Sequence, residues 1–306
     1  MSKPNYLIDM HCHTTRSDGN DEPRELVHKA QALGMKVVAI TDHDVVPPAE
    51  VFQGGVKVVK GMEISCDTNV EDVHIVALGC DWNMTQFGQL TDAVEASKLE
   101  AYKRLTEVLC DNGIRVEWSE LLENRKPEDI EKKHIFELMA KKGYTSSWQE
   151  AKLLVIGNPI LNVKREKPDP VEVLDIVHSA GGIAILAHPY LIDERVSVHG
   201  KVITREDYID RLIDNRLDGI EVCYPYDKTS YKGTKSNEQI WAEVESKYKD
   251  AVRVLSGGSD YHADEKKGVT NPRGLGECGI EEEYFAGNEI LRKLIDMEAT
   301  VESLFN

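Results

Sequence analysis

No apolar run in this sequence approaches the roughly 18–20 residues that a membrane-spanning helix requires. Nor is there a signal-peptide core, because the apolar stretch following Met1-Ser2-Lys3-Pro4-Asn5 is interrupted by Asp9. Cysteine is sparse: thiols at 12, 66, 80, 110, 223 and 278 form no CxxC pair and no dense framework. A reducing cytoplasm is therefore the expected setting. Basic charge is in deficit, with 37 Lys+Arg against 54 Asp+Glu and a formal net charge of −17. Stable nucleic-acid binding wants the opposite balance, although a local site can differ in sign from the whole. Internal repeats and low-complexity segments are also missing. What remains is a chain of 306 residues, 41% hydrophobic and 30% charged, with ample length for a buried core.

Apolar runs alternate with helical patterns along most of that length. The runs are Tyr6–Met10, Val37–Thr41, Val56–Ile64, Val73–Leu78, Gly182–Ala187, Gly219–Cys223 and Val252–Ser256. Between them lie helical patterns at Glu22–Leu33, Val171–Ala180, Arg205–Asn215 and Asn237–Tyr248. Pro23 and Pro170 sit in first turns behind acidic residues, and Gly34, Gly143 and Gly181-Gly182 mark stops. Such alternation implies an α/β barrel or doubly wound sheet with parallel pairing. Two places break the rhythm. The segment holding Asp67, Asn69 and Asp72 is too short for a helical crossover, so its flanking strands should form an antiparallel hairpin. Residues 99–169 contain helical stretches at Leu99–Asn112 and Pro127–Lys142 and no strand, and read as an insertion into a barrel of residues 1–98 and 170–306.

Metal-ligand residue types gather where the strands end. They are His11 and His13, Asp18, His43, Glu63, His188, and the pair Asp260 and His262. Residues two apart on a strand share a face, so His11 with His13 and Asp260 with His262 can point into one cavity. His74 begins its strand, but the antiparallel hairpin carries that start beside Glu63. Nine donors thus converge at the rim where barrel enzymes place their sites. Six imidazoles and three carboxylates suit Zn, Mn or Fe without a thiolate.

In these motifs, His11-x-His13, Ser17-Asp18-Gly19, Thr41-Asp42-His43, Gly61-Met62-Glu63-Ile64, His74, Ala187-His188-Pro189 and Gly258-Ser259-Asp260-x-His262, the sequence resembles the PHP (polymerase and histidinol phosphatase) family. The resemblance implies a distorted (β/α)7 TIM-like barrel and two to three divalent ions. It assigns His11, His13, Glu63 and Asp260 to one ion, Glu63, His74 and His188 to a second, and Asp18, His43 and His262 to a third.

The chain looks most like the branch with a helical insertion that acts on nucleoside 3′,5′-bisphosphates or cyclic ribose phosphates. The resemblance implies a phosphoesterase in which a metal-bound hydroxide attacks phosphorus, with Glu63, Asp260 and His188 carrying the chemistry. The insertion would cover the substrate, a small phosphorylated molecule, through Lys133, His134, Lys164 and Arg165. Lys133 stands where that branch tends to carry arginine. Arg16 either meets a phosphate or pairs with an acid, and Tyr224 and Tyr226 read first as packing. His28, His178 and His199 read as structural and Cys12 as buried filling. A phosphodiesterase opening a ribose 1,2-cyclic phosphate, a catalytically silent metal-stabilised module and an amide hydrolase are the competing readings.

Overall fold

Short, almost wholly buried strands build the centre of the molecule, which is known from a computed structural model describing residues 4–49, 55–198 and 200–295. Nine strands are assigned among these residues: β1 (Ile8–Asp9), β2 (Val37–Ile40), β3 (Lys57–Cys66), β4 (Val73–Leu78), β5 (Ile183–Leu186), β6 (Arg195–Val198), β7 (Lys201–Thr204), β8 (Gly219–Cys223) and β9 (Val254–Gly257). The helices are α1 (Pro23–Ala32), α2 (Thr85–Asp111), α3 (Trp118–Leu122), α4 (Lys132–Lys141), α5 (Trp148–Gly157), α6 (Pro170–Ser179), α7 (Arg205–Asp214), α8 (Asn237–Tyr248) and α9 (Glu282–Gly287).

Seven strands form one sheet in the order β1-β2-β3-β4-β5-β8-β9, each corresponding to one of the seven apolar runs. The pairs β1–β2, β2–β3, β5–β8 and β8–β9 are parallel. Only β4 runs against both neighbours, and its hairpin with β3 sets Ser65 opposite His74 and Glu63 opposite Val76. The turn is held by Asp67, whose Oδ1 accepts from the amides of Asn69 at 2.8 Å and Val70 at 3.1 Å. The sheet curls until its ends meet, where Cys12 bridges Tyr261 in parallel and the Met10 amide donates to Gly257 O at 3.2 Å. The outcome is a nearly closed α/β barrel of seven strands.

Alternation along these strands separates two apolar layers. Ile8, Val37, Ala39, Val59, Val76, Ile185 and Val254 share a cluster on the face that carries Glu63, and fill the barrel beneath it. Val38, Ile40 and Val58 pack outward against Leu26, Val27 and Ala30 of α1. The floor of the site is thus apolar and its rim polar, the layering expected of a filled barrel.

The chain divides into two compact units, Met1–Gly88 with Pro168–Asn306, and Gln89–Lys167. The smaller has its own core, in which Leu105 and Leu109 meet Leu121, Ile135, Phe136, Met139, Ala151 and Val155. Three features depart from the sequence reading. The first helix of the insertion begins at Thr85, not Leu99; α3 and α5 add to the two helices expected there; and β6 and β7 form an unforeseen hairpin.

Candidate metal centre

Glu63 is the hub. Its side chain is 1% exposed, and five imidazoles stand around its two oxygens. Oε1 is 2.9 Å from His74 Nδ1 and 2.9 Å from His188 Nε2. Oε2 is 3.1 Å from His11 Nε2, 3.1 Å from His13 Nε2 and 3.2 Å from His43 Nδ1. Asp260 Oδ1 closes the other side, 3.2 Å from His13 Nε2 and 3.7 Å from His11 Nε2. Asp18 Oδ1 reaches His262 Nε2 at 3.0 Å and His13 Nδ1 at 3.7 Å. All nine donors anticipated from sequence are therefore brought together at one end of the barrel.

The backbone bends to make this possible. His188 and Asp260 leave their strands with φ of 29° and 50°, a region non-glycine residues seldom occupy and one concentrated at functional sites. Gly258 lets the last strand approach the first, since a Cβ there would lie 2.3 Å from His11 Cβ.

Ring protons are fixed by partners that can only accept. His11 Nδ1 lies 3.2 Å from Glu221 Oε1, and His262 Nδ1 lies 2.7 Å from the Asp260 carbonyl. Both rings must therefore donate through Nδ1, which leaves Nε2 as a bare lone pair. The lone pair of His11 faces Glu63, Asp260 and, at 3.1 Å, His13 Nε2; that of His262 faces Asp18. His43 Nδ1 is buried without a hydrogen bond although it is 3.2 Å from Glu63. Lone pairs aimed at carboxylates repel unless a proton or cation stands between them. The donor set fits divalent metal, and three clusters have all their ligand atoms within 4.8 Å of one another: His11, His13, Glu63 and Asp260; His13, Asp18, His43 and His262; and His43, Glu63 and His74.

Without metal, protons take that place. Burial disfavours a charged His13, yet hydrogen bonds to Asp260 and Glu63 overcome it and lift its pKa to about 10. For Glu63 burial again works against charge, and the ring of histidines, His43 and His11 foremost, holds its carboxyl well below the ordinary range. His43 goes the other way, lowered to about 4 by burial, with the neighbouring His13 and His74 adding to it against Glu63.

Other residues orient these ligands. Glu221 on β8 accepts from His11 Nδ1 through Oε1 and from the His188 amide at 2.7 Å through Oε2. Asp42 accepts from the Thr14 amide at 2.7 Å, from Thr14 Oγ1 at 2.8 Å and from Ser17 Oγ at 2.8 Å, bracing the loop after His13. Asp9 takes Ser259 Oγ at 2.5 Å and the Gly276 amide at 2.9 Å, tying the last ligand loop to the first strand. Asp260 Oδ2 accepts from Tyr224 at 2.7 Å and Arg273 at 2.5 Å, so Tyr224 is a ligand's support as well as packing. Arg273, which also pairs with Asp264, carried no sequence signal. Asp9 and Glu221 did carry one, as acids inside apolar strand runs.

Arg16 donates to the Val46 carbonyl at 2.8 Å. His178 pairs with Asp218 at 2.8 Å, Cys12 is fully buried, and His199 lies outside the described residues. In the smaller unit, His134 accepts from the Glu131 amide at 3.0 Å as part of a capping box, and Lys133 pairs with Glu137 and lies 5.4 Å from the Trp148 ring centre. Lys164 and Arg165 precede α6.

Comparison with known proteins agrees with this geometry. The family description "PHP domain" matches residues 9–150. A 5′-3′ exoribonuclease of Haemophilus influenzae is 31% identical over 193 residues, 59% of this chain and 68% of that one. A phosphoribosyl 1,2-cyclic phosphate 1,2-diphosphodiesterase of Eggerthella lenta is 26% identical over 270 residues, 84% of this chain and 94% of the relative. A solved structure from Bifidobacterium adolescentis superposes with a TM-score of 0.64 at 24% identity, over 94% of this chain and 96% of that one, and so shares the fold. With the motifs in order, the barrel closed around them and the donor set convergent, the chain belongs to the PHP family of metal-dependent phosphoesterases.

Proposed function

We propose that this enzyme hydrolyses a phosphate ester of a small phosphorylated nucleotide or sugar, such as a nucleoside 3′,5′-bisphosphate, with two to three ions of Mn, Zn or Fe in the centre. The observation carrying this reading is the set of imidazole lone pairs and carboxylates converging around Glu63. Bound divalent ions supply an activated water and offset charge on the phosphoryl oxygens. Glu63 and Asp260, the latter held from behind by Tyr224 and Arg273, would be among the residues that hold these ions. We keep His188 among the catalytic residues on its place in this centre, with Nε2 2.9 Å from Glu63 Oε1. Substrate contact by Lys133, His134, Lys164 and Arg165 belongs to the same proposal.

The test is a screen of Mn-, Zn- and Fe-reconstituted protein, with a chelator control. Phosphate release from a nucleoside 3′,5′-bisphosphate is the expected result, and a rise in KM when Lys133 or Arg165 becomes alanine would support the insertion contacts. Ring opening of a ribose 1,2-cyclic phosphate would select the diesterase reading. No turnover of any ester would select a silent metal-stabilised module. Likeness to the Haemophilus influenzae 5′-3′ exoribonuclease favours a second reading, release of nucleotides from the 5′ end of an RNA, which belongs in the same screen.

A further inference from the structure

A cavity of about 230 Å³ shares no residue with the metal centre but is lined by segments that follow the same strand ends. Its walls come from Tyr190–Glu194 after β5, Ser230–Lys235 after β8, and Asp72 in the turn before β4. A continuous series of tilted and edge-to-face ring contacts joins the two places. His188 lies 5.2 Å from Tyr224, Tyr224 lies 4.9 Å from Tyr226, and Tyr226 lies 6.2 Å from Tyr190 and 5.6 Å from Tyr231.

The chemistry of this lining is mixed in a particular way. Tyr231, half-buried, offers ring surface, and Tyr190 is buried beside it. Arg205 stacks on Tyr190 with Cζ 3.8 Å from the ring centre and is braced by the Ile192 carbonyl at 2.9 Å. Lys232 and Lys235 bring further positive charge to the mouth, Lys235 being paired with Glu243. Asp72, Asp193 and Glu194 also line the cavity. An inorganic anion alone is poorly matched to a lining with as many acids as bases. A nucleotide unit matches it better: rings stack a base, acids accept from sugar hydroxyls or an exocyclic amine, and Arg or Lys meets a phosphate. Ligand pockets usually run from about 300 to 1,000 Å³, so this smaller space suits one nucleoside and not a longer segment. Gly233 belongs to the design, because a Cβ there would fall 2.0 Å from Tyr231 Oη and expel the ring from its place.

We propose that this cavity binds the nucleoside portion of the substrate, so that nucleotides, and not base-free sugar phosphates, are what the enzyme turns over. This deepens the phosphoesterase reading above and rests on it. The experiment compares kcat/KM for adenosine 3′,5′-bisphosphate with that for ribose 5-phosphate, in the Mn-loaded wild type, Tyr231→Ala, Tyr231→Phe and Lys232→Glu. Base stacking on one aromatic side chain accounts for roughly a tenfold to hundredfold effect. The nucleotide-to-sugar ratio should fall at least tenfold in Tyr231→Ala, through KM, and return in Tyr231→Phe. Lys232→Glu, at an exposed position, should lower it as well and serves if Tyr231→Ala fails to fold. An unchanged ratio in a folded Tyr231→Ala or Lys232→Glu protein overturns the proposal. If the wild type hydrolyses no ester, the phosphoesterase reading fails separately. Titration of adenosine, which carries no phosphate, into the Mn-loaded protein then decides the cavity: binding lost in Tyr231→Ala sustains it, and absence of binding to the wild type ends it.

Discussion

Replacing Glu221 by glutamine changes one oxygen to an NH2 and should empty the metal centre without touching a ligand. The Glu221 side chain is 2% exposed and makes two acceptor contacts, at 2.7 Å to the His188 amide and 3.2 Å to His11 Nδ1. Glutamine has one acceptor oxygen, and the shorter main-chain bond takes it. Its NH2 then faces His11 Nδ1, which can respond only by becoming the acceptor. The ring proton moves to Nε2, into the space shared with Glu63, His13 and Asp260, and His11 can no longer ligate. Partners of this kind are typically worth about 10–100-fold in metal affinity, or roughly 1.4–2.7 kcal/mol. We expect a weakening of that size in Glu221→Gln, measured as Mn²⁺ or Zn²⁺ affinity by competition with a fluorescent chelator. Thermal unfolding of the metal-free proteins serves as the control, because the substitution leaves packing volume unchanged and should leave the fold intact. An affinity within twofold of wild type, with the fold intact, would refute the assignment of the His11 tautomer.

Four other outcomes follow from the same geometry. Asp260→Asn should lose phosphoesterase turnover by at least 100-fold and bind less metal; full metal content with intact turnover would contradict the arrangement around Asp260 Oδ1. Metal loading at pH 7 should release protons, because His13, with its pKa lifted to about 10 by Asp260 and Glu63 against the effect of burial, is protonated in the metal-free protein. Calorimetry in buffers of different ionisation enthalpy reads that release, and affinity should rise with pH up to about 10. The raised pKa also means that the stabilisation His13 gives the metal-free fold is complete below about pH 6.5 and lost as pH rises through about 10, so metal-free protein should melt at lower temperature at pH 10 than at pH 6. Gly258→Ala should cost about 1–3 kcal/mol in urea unfolding, as overpacking does, because its Cβ would press on His11; an unaffected midpoint would mean that the two strand ends are free to part.

Much of the barrel was legible because its strands are buried on both faces and so read as continuous apolar runs, as Val37–Ile40 and Ile183–Leu186 do. The direction of β4 was legible from chain length alone, since the turn after Cys66 cannot hold a crossover. The β6–β7 hairpin was not, because among its eight strand positions only Val196 is buried and the apolar signal is correspondingly weak. Helix α5 hid for a related reason: Leu153, Leu154 and Ile156 are exposed, so its apolar residues do not mark one face. In the centre, four of the nine donors announced themselves by i, i+2 spacing, His11 with His13 and Asp260 with His262, and the others by their residue type beside strand ends or, for His74, across the hairpin. Among their supports, Asp9 and Glu221 showed only as acids inside apolar runs, and Arg273 acquires meaning only from the tertiary contacts it makes.

The same distinction explains how a chain of net charge −17 can hold an anionic substrate. Ligand carboxylates at Glu63, Asp18 and Asp260 would repel a phosphate if they stood alone, and the acids behind them, Asp9, Asp42 and Glu221, deepen the negative field. Yet each of those acids is spent on a donor: Asp9 on Ser259 and Gly276, Asp42 on Thr14 and Ser17, Glu221 on His11 and the His188 amide. Their charge makes the imidazoles better ligands and draws cations inward. Divalent ions held there would reverse the local sign at the mouth of the barrel, leaving the outer surface to carry the acidity. Attraction for phosphate in this protein is therefore conditional on metal, and a metal-free centre should repel the substrate that a loaded one binds.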